Sequence, residues 1–407
     1  MVALLLRNLA AAAPSTAFSM IPKSFAGRAS SLVGRTQAQT APCRSSCRKL
    51  SSSASEEPHF WNHEESQKRA FSTKSPVVKQ AKIISLTDIN DCANAPLNDA
   101  KDLPEGAELL QIGSSMEDFD IDKLRAQGAN TIFVSHPNSR EPLAQLLREL
   151  ETIEWVHTRS AGIDFVNTPT LEQWKGTLTN AKGQFSSTLA EYTLMACSFF
   201  AKDLPRLMRN KADKNWHKYS VLELRGATLG IVGYGDIGRA CAKLAQVYGM
   251  RIVALRRHPK PDPFCDEVYI NDKESLNRLF RESDYIVCSA PLTTETRGMI
   301  GAEQFDNAKK DAIFINVGRG PVVQEDALVA ALHQGKLKGA ALDVFATEPL
   351  PTSSPLWEME NVLLSPHNMD QTETFMHEAT EFFVQENLPR FIRGEPLLNE
   401  VDALAGY

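Results

Sequence analysis

The fold of this 407-residue chain is decided by the segment TLGIVGYGDIG, which spans residues 228–238. Its first five residues form a buried-strand pattern, and Gly233, Gly235 and Gly238 follow with the spacing GxGxxG. A helical pattern over residues 239–248 and a strand pattern over residues 251–255 come next. Strand, glycine-rich turn, helix and strand in this order predict a parallel α/β unit that binds a dinucleotide.

Each glycine of this turn has a separate physical task. Gly233 permits the tight turn, Gly235 lets the backbone approach a pyrophosphate, and Gly238 lets the helix pack closely on the strand. Asp236 and Ile237 stand at the predicted helix start, whose amides and positive dipole suit an anion. We expect these five residues to bind the cofactor.

The end of the second strand distinguishes the two nicotinamide dinucleotides. An acidic residue there would accept hydrogen bonds from the adenosine ribose and repel a 2′-phosphate. This chain instead places Arg256 and Arg257 at that point. Because guanidinium groups suit a phosphate dianion, the sequence favours NADP(H), and NAD(H) stays open as the alternative.

Outside this unit, short apolar strands alternate with helical patterns from residue 81 onward. The predicted strands are residues 82–86, 108–112, 131–135 and 153–158, and then 228–232, 251–255, 285–290, 312–317, 340–345 and 362–365. Strand–helix alternation predicts an α/β fold with two Rossmann-like or flavodoxin-like domains, parallel sheets and a cleft between them. A long helix is predicted over residues 187–208, and a closing helix over residues 373–392 can reach back to the first half. We therefore expect a discontinuous substrate domain (residues 80–188, completed by 370–407) and a dinucleotide-binding Rossmann domain (residues 189–369).

Composition excludes several classes of protein. The formal net charge of −6 argues against a nucleic-acid binder. No run approaches the 18 or so apolar residues of a spanning helix, so membrane insertion is not expected. The seven cysteines are scattered, which predicts neither a disulfide framework nor a metal site.

The first 75 residues differ from the rest of the chain. No acidic residue precedes Glu56, whereas arginine, lysine, serine and alanine are frequent. This composition is typical of an organelle transit peptide, and residues 69–72 (RAFS) resemble a mitochondrial processing site. We predict a mitochondrial address, with a plastid as the alternative.

Three further segments place polar residues just beyond predicted strands. They are NVGRGPVV at residues 316–323, ALDVFATEP at residues 341–349 and LLSPH at residues 363–367. In an open parallel sheet, this carboxyl edge is where ligands bind. With the glycine turn, the three segments closely resemble the D-isomer-specific 2-hydroxyacid dehydrogenase family, over residues 80–407.

This resemblance implies that Arg319, Glu348 and His367 are the catalytic residues. The chemistry of reducing a 2-oxo acid agrees with it. His367 can deliver a proton near neutral pH, and Glu348 can orient the imidazole and raise its pKa. Arg319 can hold the substrate carboxylate and polarise the carbonyl.

The resemblance also implies further contacts. Ser160, Ala161 and Gly162 would bind the substrate carboxylate through backbone amides. Pro291 and Thr293 would lie along the nicotinamide half of the cofactor, and Asp343 near its carboxamide or ribose. The family is typically dimeric, which implies a homodimer with residues 206–224 in the contact.

The predicted reaction is reduction of a small 2-oxo acid, such as glyoxylate or hydroxypyruvate, to the D-2-hydroxy acid. Two alternatives stay open. One is an NAD-dependent D-3-phosphoglycerate dehydrogenase, and the other is a cofactor-sensing binding protein like the corepressors of the same fold. One departure from the family concerns substrate choice. Asn368, Met369 and Asp370 follow His367, where the family commonly has a small residue two or three places after the histidine, and Met369 is expected to press on the substrate pocket or on the cofactor face.

Overall fold

The computed structural model describes residues 79–404, which fold around two parallel β-sheets. The predicted organelle address in residues 1–75 lies outside the described residues, so it stays a prediction. Residues 405–407 lie outside them as well. Between residues 79 and 404, no helix is both long enough and apolar enough to span a bilayer.

The first sheet has five strands in the order β2-β1-β3-β4-β5, and all neighbours are parallel. They are β1 (Ala81–Leu86), β2 (Ala107–Gly113), β3 (Thr131–Val134), β4 (Trp155–Thr158) and β5 (Thr177–Asn180). The first four lie within two residues of their predicted bounds. β5 is absent from the sequence prediction, because its four residues include a single apolar side chain, Leu178.

The second sheet has seven parallel strands in the order β12-β11-β10-β9-β6-β7-β8. They are β6 (Thr228–Val232), β7 (Arg251–Arg256), β8 (Glu267–Ile270), β9 (Tyr285–Cys288), β10 (Ile313–Asn316), β11 (Gly339–Leu342) and β12 (Val362–Leu364). β8 is the strand that the sequence does not predict, because it is a short edge strand of which only Tyr269 is buried. The prediction of two α/β domains with parallel sheets is confirmed.

Helices connect the strands and cover the sheets. They are α1 (Ala95–Asn98), α2 (Ile121–Gln127), α3 (Arg140–Glu149), α4 (Pro169–Gln173), α5 (Ser186–Ala201), α6 (Leu204–Ala212), α7 (Asp236–Val247), α8 (Lys273–Glu282), α9 (Ala302–Asn307), α10 (Glu325–His333), α11 (Phe375–Glu381) and α12 (Leu388–Arg393). A π-helical stretch, Phe382–Asn387, joins α11 to α12, and 3₁₀ turns occur at Cys92–Asn94, Met116–Asp118, Gly320–Val322 and Pro355–Trp357.

The prediction of one continuous helix over residues 187–208 is wrong, since α5 and α6 are separate helices. Asp203 breaks the helix with a left-handed backbone (φ 51°), and its side chain accepts a hydrogen bond from the Arg206 amide. Pro205 lies in the first turn of α6, where its missing N–H costs no hydrogen bond. The break therefore follows from an N-terminal cap, which apolar periodicity does not reveal.

The end of the chain returns to the first sheet. Phe383, Leu388 and Phe391 are buried in one core cluster with Phe133 and Trp155. The ring centroids of Trp155 and Phe391 are 5.0 Å apart. Burying aromatic side chains of this size stabilises the fold by roughly 2–3 kcal/mol each, so the last helices are part of this core.

Strand order reverses at β6, which lies between β7 and β9. At such a switch point the connections leave the strand ends on opposite faces of the sheet, and a crevice opens at the carboxyl edge. The turn at residues 233–235 directly follows β6 at this edge. The fold thus places the predicted dinucleotide turn at the crevice.

His157 on β4 predicts that the protein loses stability in mild acid. Its ring is fully buried, Nδ1 lies 2.7 Å from the Thr179 hydroxyl, and Nε2 has no partner among residues 79–404. Burial lowers the pKa of His157 from the ordinary 6.5 to about 3. In mild acid the unfolded chain therefore binds a proton at His157 that the folded chain does not bind. The free energy of unfolding consequently falls as the pH drops from about 6.5 towards 3.

We expect His157→Gln, which cannot titrate, to remove about 2 kcal/mol of the loss in unfolding free energy between pH 7 and pH 5. Urea titrations at the two pH values measure this loss. His333 provides the control, since it is exposed and lies outside the core, and His333→Gln should not remove this loss. Equal pH dependence in His157→Gln and wild type would contradict the prediction.

Candidate active site

A cavity of about 610 Å³ is lined by residues that follow strands of both sheets. The first sheet contributes the loop after β4 and the turn after β5, and the second contributes the glycine turn and the loops after β9 and β10. His367 and Arg319 both line this cavity. The structure therefore brings the predicted cofactor turn, substrate loop and catalytic side chains to one place.

The glycine turn has the geometry that a dinucleotide requires. Gly233 has φ 92°, and a Cβ atom there would lie 2.5 Å from the backbone of Ala290. A Cβ at Gly238 would lie 2.7 Å from the carbonyl oxygen of Gly233. At Gly235, by contrast, nothing lies within 4 Å of a Cβ position. Packing therefore requires glycine at positions 233 and 238. Gly235 leaves open space over the start of α7, which fits a bound pyrophosphate.

A lysine that sequence reasoning missed reaches this turn from the first sheet. Lys182 follows β5, and its Nζ lies 3.3 Å from a carboxylate oxygen of Asp236. Asp236 and Ile237 line the cavity at the start of α7. Because β5 carries no clear apolar pattern, the sequence gives no signal that Lys182 comes close to the turn.

The two arginines after β7 have different surroundings. The Arg256 guanidinium lies 5.8 Å from the ring centroid of Tyr234, which is in the glycine turn. Arg257 is more exposed and forms an ion pair with Glu295, with 3.0 Å between Nη2 and Oε2. Arg256 is therefore beside the cofactor turn, whereas Arg257 already has an acidic partner.

His367 and Glu348 are hydrogen-bonded to each other, with 2.7 Å between Nδ1 and Oε2. The other oxygen of Glu348 accepts a hydrogen bond from the Phe345 amide at 2.9 Å. The hydrogen bond to Glu348 raises the pKa of His367, although burial opposes the change. Burial acts to raise the pKa of Glu348, but the hydrogen bonds from His367 and Phe345 outweigh it, and that pKa is lowered. The pair therefore favours an imidazolium next to a carboxylate.

The backbone of His367 is held in an uncommon conformation. Its φ is 51°, in the left-handed region that few residues other than glycine adopt. The buried carboxylate of Asp343 accepts hydrogen bonds from the amides of Asn368 (3.1 Å) and Met369 (3.4 Å). Asp343 also lines the cavity, so it stabilises the turn that presents His367 to it.

Arg319 lies against the predicted substrate loop. Its Nε donates to Asp164 at 3.3 Å, and its Nη1 donates to the Gly318 carbonyl at 3.0 Å. The terminal nitrogen Nη2 occupies the space that a side chain at Gly162 would need. The absence of a side chain at Gly162 is thus what lets Arg319 approach the loop.

The loop at residues 159–162 is anchored by a buried arginine. Arg159 pairs with Asp91 at 2.7 Å and donates to Asn94 at 2.8 Å. Ser160, Ala161 and Gly162 line the cavity. Across residues 79–404, the amides of these three residues donate to no protein group, so they can bind an anion such as a carboxylate.

One expectation about this region is corrected by the structure, and another stays a prediction. Pro291 lines the cavity. The hydroxyl and amide of Thr293 are hydrogen-bonded to Thr296, and the contact of Thr293 with a cofactor stays a prediction. Met369 packs into the core beside α5 instead of pressing on the pocket, and Asp370 lines the cavity in its place. The left-handed backbone at His367 redirects the residues that follow, which sequence position alone does not show.

Comparison with known proteins identifies the family. The model of the D-isomer specific 2-hydroxyacid dehydrogenase NAD binding domain matches residues 194–368. The glyoxylate reductase of Korarchaeum cryptofilum is 37% identical over 270 residues, which cover 65% of this chain and 76% of that protein. The chain belongs to the D-isomer specific 2-hydroxyacid dehydrogenase family.

Two other 2-hydroxyacid dehydrogenase comparisons bear on substrate and cofactor. The D-3-phosphoglycerate dehydrogenase of Methanocaldococcus jannaschii is 31% identical over 259 residues, which cover 63% of this chain and 49% of that protein. The structure of an NADPH-dependent glyoxylate/hydroxypyruvate reductase from Sinorhizobium meliloti, in complex with NADP and sulfate, superposes with a TM-score of 0.66 at 25% identity. It covers 81% of this chain and all of that one. The family to which the chain belongs is one of NAD(P)-dependent D-2-hydroxyacid dehydrogenases.

The contact between Gly162 and Arg319 generates a prediction. Gly162→Ala should displace the guanidinium, because the added methyl group needs the space of Nη2. We expect kcat/KM for a 2-oxo acid to fall on the order of 100-fold, the cost of misplacing a binding group by about 1 Å. The melting temperature and the affinity for the dinucleotide should stay near wild type, since a flexible side-chain end can move. Unchanged kcat/KM would show that Arg319 does not need this position.

Proposed function

We propose that the protein reduces a small 2-oxo acid, glyoxylate or hydroxypyruvate, to the D-2-hydroxy acid with NADPH. The observation that carries this proposal is the hydrogen bond of Glu348 with His367, which lines the cavity together with Arg319 and the glycine turn. The names of the glyoxylate reductases among its relatives support it. Family membership gives the class of reaction, and the site residues give the roles below.

The substrate carboxylate would bind between the loop amides and Arg319. Three amides at residues 160–162 and a guanidinium provide charge-assisted hydrogen bonds to a carboxylate. Arg319 would also face the 2-oxo group, where negative charge develops during reduction. Its hydrogen bonds to Asp164 and Gly318 hold the guanidinium in position before the substrate arrives.

His367 would donate the proton that completes the reduction. Nδ1 is bonded to Glu348, so Nε2 is the ring nitrogen left to donate to the substrate oxygen. A bound NAD(P)H supplies the hydride to carbon 2, and the nicotinamide is oxidised as the 2-oxo group becomes a hydroxyl. The raised pKa keeps His367 protonated to a higher pH than a free imidazole.

The roles of His367 and Glu348 are tested by pH profiles of glyoxylate reduction. Reduction requires imidazolium, so kcat should decline as the pH rises through the raised pKa of His367. Glu348→Gln removes the charge that raises this pKa, and the decline should move to lower pH. His367→Ala should reduce kcat roughly 10²- to 10⁴-fold while dinucleotide binding is retained.

The same assays test the alternatives. Turnover of phosphohydroxypyruvate with NADH, in preference to glyoxylate with NADPH, would favour the D-3-phosphoglycerate dehydrogenase reading that one relative suggests. Dinucleotide binding with no turnover of any 2-oxo acid would favour the other alternative, a cofactor-sensing binding protein. An unchanged pH profile in Glu348→Gln would contradict its assignment as the partner of His367.

The preference for NADPH is a separate proposal that rests on Arg256. This guanidinium lies beside Tyr234 in the glycine turn, where the adenosine end of a dinucleotide is expected. Arg257 would have to exchange Glu295 for the 2′-phosphate, which lowers its contribution. The neighbouring family structure in complex with NADP supports the assignment.

Arg256→Ala should raise KM for NADPH roughly tenfold, with little effect on KM for NADH. A charge-assisted hydrogen bond is worth roughly 1.5–3 kcal/mol, and solvent exposure places this contact at the lower end. Arg257→Ala should have a smaller effect, because Arg257 is paired with Glu295. Equal kcat/KM for the two cofactors in the wild type would disprove the preference.

We also propose that two chains associate through the region around α6. Leu207, Met208, Trp216, Val221 and Leu222 are all about half exposed or more, and Trp216 is 94% exposed. Such a concentration of exposed apolar side chains is typical of an association surface. It falls within residues 206–224, the segment expected to form the subunit contact.

Met208→Glu should convert a dimer into a monomer in sedimentation velocity experiments at micromolar concentration. The new carboxylate would be buried without a partner in the contact, which costs several kcal/mol. Ile270→Glu is the control, since Ile270 is similarly exposed but lies on the edge strand β8. A monomeric wild type would disprove the proposal, and equal dissociation in both variants would place the contact elsewhere.

A further inference from the structure

Lys182 is a cation of the cavity that has no role in the reaction proposed above. Within residues 79–404, the basic side chains that line the cavity are those of Arg159, Lys182, Arg319 and His367. Arg159 is buried and anchors the substrate loop, and the next two sections of the site use Arg319 and His367 for substrate binding and proton transfer. Lys182 instead contacts Asp236, with 3.3 Å between its Nζ and a carboxylate oxygen. It is therefore the member of this set that lies at the glycine turn.

The backbone of Lys182 is fixed by hydrogen bonds on both sides. Its amide donates to Oδ1 of Asn180 at 3.1 Å, and its carbonyl oxygen accepts from Nδ2 of Asn399 at 2.8 Å. Asn399 belongs to the end of the chain and is itself joined to β5, since its carbonyl oxygen accepts from the Asn180 amide. The side chain of Lys182 is 55% exposed and lines the cavity. The ammonium group thus starts from a fixed point and can reach a ligand in the cavity.

The charges at the glycine turn call for a cation when a dinucleotide binds. The match to the family's NAD binding domain includes this turn, and a dinucleotide carries negative charge on both phosphates of its pyrophosphate. Asp236 is the first residue of α7, so its carboxylate lies at the helix start where the phosphates are expected. Like charges at this distance repel each other. Lys182 is placed to offset the repulsion between Asp236 and the phosphates.

We propose that Lys182 binds the pyrophosphate of the dinucleotide through its ammonium group while it stays close to Asp236. An ammonium group has three N–H donors, so an ion pair with one carboxylate leaves donors for a phosphate. Lysine binds phosphates as a point charge, which tolerates the shared position. Because Lys182 follows β5, the first sheet then contributes directly to cofactor binding. This inference rests on the dinucleotide site of the proposed function and holds whichever 2-oxo acid is reduced.

The proposal assigns Lys182 and Arg256 different effects on the two cofactors. NADPH and NADH both contain the pyrophosphate, whereas the 2′-phosphate is present in NADPH alone. Loss of the Lys182 charge should therefore weaken the binding of both cofactors by the same factor. Loss of the Arg256 charge should weaken the binding of NADPH and leave that of NADH near wild type.

The test is titration of NADPH and NADH, followed by cofactor fluorescence without substrate, in wild type, Lys182→Met and Lys182→Arg. Methionine keeps the apolar stem and removes the charge, so Kd should rise roughly tenfold for both cofactors. Arginine keeps the charge and should restore most of the affinity. Added salt should raise Kd more steeply in the wild type than in Lys182→Met. Melting temperatures should stay near wild type, since the side chain is more than half exposed.

Lys175→Met provides the matched control. Lys175 is exposed and precedes β5, so it lies at the opposite end of the strand from Lys182. Its substitution should leave both Kd values near wild type. Equal increases in Lys175→Met and Lys182→Met would show a general effect of net charge and would overturn the assignment.

Other outcomes also decide the matter. An unchanged Kd in Lys182→Met, an increase for NADPH alone, or Lys182→Arg binding no better than Lys182→Met would overturn the role of Lys182. The proposed function would stand in each of these cases, because the wild type still binds the cofactor. A wild type that binds neither dinucleotide would remove this inference and the proposed function together.

Discussion

The hydrogen bond between Nδ1 of His367 and Oε2 of Glu348 is the interaction on which the rest of the site depends. It fixes which ring nitrogen can face the substrate, and it raises the pKa of the imidazole. Further hydrogen bonds to each of the two residues hold these atoms 2.7 Å apart. The Phe345 amide holds the far oxygen of Glu348, and Asp343 holds the left-handed turn that carries His367. Both supports and Glu348 follow β11, whereas His367 follows β12, so the pairing of these two neighbouring strands brings the acid–base pair together.

The remaining site residues depend on the approach of two separate sheets. Arg319 follows β10 of the second sheet, yet it bonds to Asp164 and lies against Gly162, which follow β4 of the first. Lys182 makes the reciprocal contact, from the first sheet to Asp236 at the start of α7. Substrate loop and cofactor turn are thus joined by ion pairs at two points. A change in the distance between the sheets would alter both binding regions together.

Much of this arrangement can be predicted from sequence where the local pattern has one physical solution. The bounds of β6 are predicted without error, because a buried-strand pattern that ends in GxGxxG and is followed by a helical pattern is typical of the first strand of a dinucleotide-binding unit. The break between α5 and α6 escapes prediction, since the apolar pattern continues past it and the cap at Asp203 depends on a positive φ. Asp370 escapes for a similar reason. The backbone angle at His367 decides that residue 370 instead of residue 369 lines the cavity, and nothing in the identity of His367 reveals that angle.

Two carboxyl groups near His367 have pKa values shifted in opposite directions, because they differ in their hydrogen bonds and in what opposes their burial. The pKa of Glu348 is lowered by its hydrogen bonds, so it stays ionised and balances the imidazolium. The pKa of Asp370 is raised by burial, which favours its neutral form. Asp164, Asp343 and Asp370 all line the cavity, and Arg319 and His367 line it as well, so carboxyl groups and cations share its wall. Hydrogen bonding and burial therefore give two carboxyl groups around one histidine opposite preferences for the charged form.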